Sequence, residues 1–367
     1  LNVSPTPDPV FIRANNGLLT ITGQTGDAFF QTPADLTLDA IGTGQIQADT
    51  NFFVNADGTI NVTQTGLAPE TATLLARSIF FESGDINLTG IIEGEFVSLG
   101  ASANGNQVVI GGDTEGPGYT LTQEEAGLIE AFEANFFAFD EEEEGVSANV
   151  LLRDLTIIGS AEGEGASVVS LEATGEIRVE GIVDFIDATS TDVLALAAPR
   201  IEVITPTGAI RMSDVTGTRA SGILTMDAEN IVVADAALAA QLKADPNFAG
   251  RTDALLNNSG PINQLGYLIA GGIIVELDVT SSASPTFFVQ NSGTATDFAG
   301  ITVGSGGLTF DVEENDVTPL PPITVVAFGQ QQNADGTFTT GDAFFNAVDF
   351  GRTPDPELEE PGATYTA

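Results

Sequence analysis

Gly84-Asp85-Ile86-Asn87-Leu88, Gly175-Glu176-Ile177-Arg178-Val179 and Gly208-Ala209-Ile210-Arg211-Met212 share the form Gly-x-Ile-x-aliphatic, and Gly272-Ile273-Ile274-Val275-Glu276 is a looser copy. Alternate residues of a β-strand face the same side. The Ile and the aliphatic two residues on therefore point to one interior, and a Gly or polar residue opens each copy. A segment this short cannot bury that face alone. A degenerate repeat of one such unit predicts copies stacked on each other, with strand hydrogen bonds running between successive turns, as in a parallel β-solenoid.

Further runs fill the spaces between the copies. Leu18–Thr22, Val108–Ile110, Val168–Leu171 and Ile201–Ile204 alternate Val, Ile or Leu with other residues and are bounded by Gly, Asn, Asp or Thr. Leu224–Met226, Ile231–Val233, Ile273–Leu277 and Leu308–Val312 do the same. Such spacing marks an all-β chain. The expected architecture is an all-β, right-handed parallel β-solenoid over 1–320, with insertions near 120–145 and 234–260. A β-hairpin or extended segment follows over 321–367.

Local signals place the helices and turns. Thr122-Gln-Glu-Glu125 is a capping box, which predicts a helix to about Ala134. Ala234–Ala244 is rich in Ala and Leu and ends before Asp245-Pro246, a second helix, with a weaker third over Arg251–Asn257. Asp140–Glu144 is a charge run expected in a solvated loop, and the Pro/Glu-rich tail from Thr353 is expected to be extended. Asn55–Thr59 and Asn333–Thr337 both read Asn-Ala-Asp-Gly-Thr and resemble hairpin turns.

Phe-Phe pairs stand at Phe29-Phe30, Phe52-Phe53, Phe80-Phe81, Phe136-Phe137, Phe287-Phe288 and Phe344-Phe345. In a strand, one Phe of each pair faces outward. Either helices and hairpins of the same chain cover it, or another subunit or another part of a longer protein does. Phe29, Phe30, Phe52, Phe53, Phe287, Phe288, Phe344 and Phe345 are therefore the candidate assembly residues. Thr25-Gly-Asp-Ala-Phe-Phe30 recurs as Thr340-Gly-Asp-Ala-Phe-Phe345, and Thr6-Pro-Asp-Pro9 as Thr353-Pro-Asp-Pro356. Matched words near both ends suit either two copies of a cap or head-to-tail self-association.

Composition narrows the function classes. The 367 residues carry 52 Asp and Glu against 10 Lys and Arg, a net charge of −42. That field repels nucleic acid and anionic membranes. Without His or Cys, the usual zinc, copper and haem ligands are missing, as is the usual general base at neutral pH. No apolar run is long enough to span a bilayer as a helix. The opening Leu1 shows no leader pattern and reads as the start of a processed or trimmed fragment.

Tyr119–Glu130, Asp154–Gly159, Leu171–Gly181, Pro206–Met212 and Phe287–Gly304 together resemble filamentous haemagglutinin-like bacterial surface exoproteins, in particular the C-terminal part of giant exoproteins of sphingomonad-type alphaproteobacteria. The resemblance runs from about Ile86 to Phe350. It implies a right-handed parallel β-helix exported through an outer-membrane partner barrel, displayed extracellularly on the bacterial cell surface, and used in adhesion, biofilm or filament building. That family's N-terminal secretion domain is not seen, which fits a C-terminal part.

No catalytic constellation emerges, and the chain reads as a non-enzyme. A polysaccharide lyase needs cations to neutralise a uronate, and Lys243 with nine scattered Arg supplies few. A hydrolase needs two opposed carboxylates, which an acid-rich chain provides by chance. Calcium is the candidate cofactor, with Asn55, Asp57, Asp113, Glu115, Asn333 and Asp335 as oxygen ligands in Asp/Asn/Gly turns. The expected function is structural, a self-assembling filament subunit or adhesin and biofilm-matrix component. The alternatives are a monomeric glycan-binding adhesin stalk or, less favoured, a polysaccharide-degrading β-helix enzyme.

Overall fold

The computed structural model describes residues 10–21, 27–66, 72–102, 107–114, 118–139, 148–162, 165–244, 267–279, 285–289, 300–314, 324–327, 329–340, 345–348 and 364–366. The chain is all-β, and its strands pair almost entirely in parallel. It forms two compact units, Leu1–Gly175 and Glu176–Ala367.

In the first unit the chain repeatedly returns alongside itself. Val10–Asn15 pairs with Leu36–Ile41, Leu18–Ile21 with Gln45–Ala48, and Ala28–Thr32 with Asn51–Thr65, all parallel. Partners lie 24 to 27 residues apart, as Thr63 and Asp39, Arg13 and Asp39, and Asn55 and Glu82 show. Ser78–Leu88, Ile92–Ser102, Ile129–Phe139 and Val168–Ala173 extend the pairing row by row.

The constant register lines up like side chains. Ala28, Phe52, Ile79, Val97, Ala134 and Val169 form one interior column. Phe30, Val54, Phe81, Leu99, Phe136 and Leu171 form the next. Leu36, Ile60 and Ile86 form another, each with no exposed surface.

The second unit repeats the plan. Ile177, Ile201, Ile231 and Phe287 stack in one column. Val183, Ile210, Leu268 and Ile301 stack in a second, and Leu194, Leu224, Ile273 and Leu308 in a third. All twelve are fully buried. Each such side chain contributes about 1.5–3 kcal/mol relative to leaving it in water.

The glycine that opens the repeat has a steric cause. At Gly84 a Cβ would lie 2.7 Å from the carbonyl oxygen of Asp57, in the row below. A side chain there would push neighbouring rows apart.

Several local readings change in three dimensions. The Thr122 capping box is present, with the Glu125 amide donating to Thr122 Oγ1 and the Glu125 carboxylate accepting from the Thr122 amide. Its helix is only Gln123–Ala126, however, and Ile129–Phe139 is a strand. Gly127 caps the single turn, and the residues after it gain two flanking parallel partners, which a continued helix would forfeit. Asn55–Thr59 is no hairpin turn. It lies inside the strand Asn51–Thr65, with a register shift between Ala56 and Thr59. The second copy, Asn333–Thr337, does turn an antiparallel hairpin between Gly329–Gln332 and Phe338–Thr340.

In the loosest repeat copy, Ile273 and Val275 are the buried residues, one place earlier than the pattern implies, and Ile274 is half-exposed. The helix expected over Ala234–Ala244 is Ala236–Ala244. Arg251–Asn257 and Asp140–Glu144 lie outside the described residues, as does most of the tail from Thr353, of which Thr364–Thr366 forms a parallel strand on Thr324–Val326.

The one-place shift is open to measurement. Ile273→Ala should lower unfolding stability by about 2–4 kcal/mol, and Ile274→Ala by less than about 1 kcal/mol. Equal losses in urea titrations of the two variants would contradict the observed facing.

Candidate functional site

The Phe-Phe pairs meet two fates. In Phe52-Phe53 the first ring points inward, whereas in Phe80-Phe81 the second does; Phe52 and Phe81 are buried. Register then stacks the outward rings: Phe29 faces Phe53, and Phe53 faces Phe80. Ring centroids are 4.5 Å apart with planes 5° from parallel for the first pair, and 4.7 Å and 9° for the second. Phe29 ends the stack and is 56% exposed.

Two residues along each strand, Gln31, Asn55 and Glu82 form a polar column beside the rings. Asn55 Nδ2 donates to Glu82 Oε2 at 3.1 Å. In the next row Gly100 follows Glu82, and Phe137 follows Gly100. A Cβ at Gly100 would overlap the Phe137 ring, so glycine lets that ring lie down over the row. Between the columns runs a groove of about 580 Å³, walled by Phe29, Phe53 and Phe80 on one side and Gln31, Asn55 and Glu82 on the other, and bordered by Phe137.

Phe287-Phe288 is buried on both sides. Phe287 belongs to the interior column, and Phe288 packs with Ile204, Val232 and Ala234 against Leu238, Ala239 and Leu242 of the helix Ala236–Ala244. The Asp235 carboxylate accepts from the Ala237 and Leu238 amides and starts this helix. The same chain therefore covers this face. Of the candidate assembly residues, Phe52, Phe287 and Phe288 are buried and Phe30 is half-buried, so they offer little to a partner. Phe29 is exposed and Phe53 half-exposed. Phe344 and the Phe345 side chain lie outside the described residues.

The calcium candidates do not converge. Asn55 and Asp57 stand on a strand, with the Asn55 amide already bound to Glu82. Asp113 is exposed, and Glu115 lies outside the described residues. Asn333 donates to Thr337 and Thr339, and Asp335 accepts from the Thr337 amide and hydroxyl, which holds its carboxyl below the usual range. Among the described residues no group of three or more acidic side chains is placed to hold a metal ion.

One acidic cluster escaped sequence reasoning. Glu125, 5% exposed, accepts from the Leu88 amide as well as from the amide and hydroxyl of Thr122. Asp85 accepts from the Thr120 amide at 3.0 Å. Burial raises the Asp85 carboxyl above its ordinary value; the Thr120 and Ile86 amides oppose that, and the Glu125 charge adds to it. Tyr119 is buried, its hydroxyl has no hydrogen-bond partner among the described residues, and burial raises it further from ionisation. The capping box was the only legible sign of this cluster.

Cations are spent on structure. Arg178 and Arg200 both bind the buried Glu202, at 3.1 and 2.6 Å. Arg13 binds Asp39, Arg77 binds Glu95 and Lys243 binds Glu176.

Comparison with protein-family models, with curated proteins and with solved structures finds no match to this chain.

The raised Asp85 carboxyl fixes the sign of a stability effect. Its folded pKa lies above the ordinary 3.8, so the native state holds this proton more tightly than the unfolded chain. The ionised group thus costs stability at neutral pH, and the cost fades as pH falls through the folded pKa. Asp85→Asn keeps an oxygen for the Thr120 amide and should raise the unfolding midpoint at pH 7, with the gain shrinking as pH approaches 3.8. A loss of stability at pH 7 would contradict the burial argument.

Proposed function

We propose that the chain is a right-handed parallel β-solenoid and serves as a non-enzymatic, extracellular structural protein of the bacterial surface, a self-assembling filament subunit or an adhesin and biofilm-matrix component. The observation that carries this reading is the row-by-row parallel register of the interior columns. Row pairs in parallel with row, 24 to 27 residues on in the first rows, and the columns so formed are buried. Crossovers between parallel strands are overwhelmingly right-handed, which supplies the hand. A stack of this kind grows by adding rows, each burying the face of the one before.

Export and display follow from the resemblance to filamentous haemagglutinin-like exoproteins, and passage through an outer-membrane partner belongs to the same reading. The net charge of −42 opposes unspecific contact between copies and leaves association to apolar spots. Phe29 supports an end contact. Its inner face rests on Phe53, while the ring remains 56% exposed. A second copy, or another part of a longer chain, that placed an aromatic ring there would continue the ladder. Stacked aromatic pairs contribute about 0.5–1.5 kcal/mol beyond the area they bury.

A glycan-binding platform is less well supported on this face. Sugars stack on ring faces, and the faces of Phe53 are occupied by its two neighbours.

Light scattering and negative-stain images of the purified chain test the assembly. End-to-end species should grow with concentration, and Phe29→Asp should weaken association by about tenfold or more while leaving the circular dichroism unchanged. A protein that stays monomeric at all concentrations would overturn the filament reading. Labelling of intact producing cells with an antibody to the chain should be positive, and signal only after lysis would overturn surface display.

A further inference from the structure

We propose that the groove beside the phenylalanine ladder is a binding site for an elongated, flat organic cation lying across the strands. The walls set this chemistry. One side is the stack of Phe29, Phe53 and Phe80, and the other is the column of Gln31, Asn55 and Glu82; Val54 and Phe81 lie between them. The groove runs from row to row, so it suits a long ligand lying perpendicular to the strands. Its volume of about 580 Å³ falls in the range of about 300–1,000 Å³ typical of small-molecule sites.

The ladder decides which part of the ligand meets which wall. Phe53 is stacked on both faces, with planes 5° and 9° from parallel to its neighbours. The faces of Phe53, at the middle of the stack, are therefore closed to a cation and to a pyranose. Ring edges remain, and they offer apolar contact to the long side of a flat body. A positive charge belongs at the opposite wall, where the Glu82 carboxylate is oriented by Asn55 Nδ2. Phe137, lying over Gly100 in the next row, borders the groove beyond Glu82. The net charge of −42 draws cations toward the surface and repels anions such as uronates. An aromatic amidine or a quaternised heteroaromatic has the required form.

This site adjoins the assembly contact. Phe29 belongs to both, since it also lines the groove, but the groove is tested at Phe80 and Glu82 and assembly at Phe29, so the two ideas can fail separately.

Thioflavin T, a flat elongated cation, is the probe. Titrated into the full chain at low salt and followed by fluorescence, it should bind saturably at one site per chain. Glu82→Gln should weaken binding by about three- to tenfold and flatten its salt dependence. Phe80→Ala should weaken it by about tenfold or more. Phe338→Ala, on the hairpin Gly329–Gln332/Phe338–Thr340 of the other unit, should leave it unchanged. Circular dichroism identifies any variant that has lost its fold; should Phe80→Ala do so, Glu82→Gln carries the test. Affinities equal to the parent in both groove variants would overturn the site. An unchanged affinity and salt slope in Glu82→Gln alone, or equal binding of an uncharged benzothiazole, would overturn its preference for cations.

Discussion

Parallel register between successive rows is the constraint on which everything else depends. No single row could stand in water, because its strands are only two to fifteen residues long and their inward aliphatics need a second layer. When Val183, Ile210, Leu268 and Ile301 line up, each covers the next, and the same alignment satisfies the backbone hydrogen bonds between rows. A slip of one residue would turn an entire interior column outward. Gly84 serves this constraint by allowing close approach of its row to Asp57.

The outer face obeys the same register with different consequences. Aromatic residues there are carried into alignment whether or not anything covers them. In the second unit the helix Ala236–Ala244 covers Phe288 with Leu238 and Leu242, so both members of the pair are buried. In the first unit Phe29, Phe53 and Phe80 stack on each other instead. Stacking hides the ring faces and leaves edges, one exposed end and a groove. The covered pair thus has both rings enclosed, whereas the ladder leaves Phe29 exposed.

Charge acts in two ways. A few Arg residues are placed where acids must be buried, as Arg178 and Arg200 are about Glu202. Removing one partner of such a cluster would leave an uncompensated charge, which is far more costly than the pair itself is stabilising. Elsewhere the acids outnumber the bases and stay at the surface, where they oppose unspecific contact between copies. Asp39, Glu125 and Asp192 are buried exceptions, and Asp85 is another acid drawn inward. It is half-buried near Glu125 and Tyr119, with the Thr120 amide bound to it, and it ties the strand Ser78–Leu88 to the segment that carries the capping box.

The sequence by itself determined what depends on near neighbours. Short alternating strands, the inward Ile86, Ile177 and Ile210, the capping box at Thr122 and Glu125, and the helix ending at Ala244 were all legible, because periodicity and capping act within a few residues. Only the tertiary structure decided which Phe of each pair faces in, that Ile273 rather than Ile274 is buried, that Asn55–Thr59 continues a strand, and that the helix after Thr122 stops at Ala126. Each of these is set by a row more than twenty residues away, where a neighbouring strand supplies the hydrogen bonds and the packing surface. The groove was illegible for the same reason. Phe53, Phe80 and Glu82 are neighbours only because register stacks their rows, and no local pattern records that alignment.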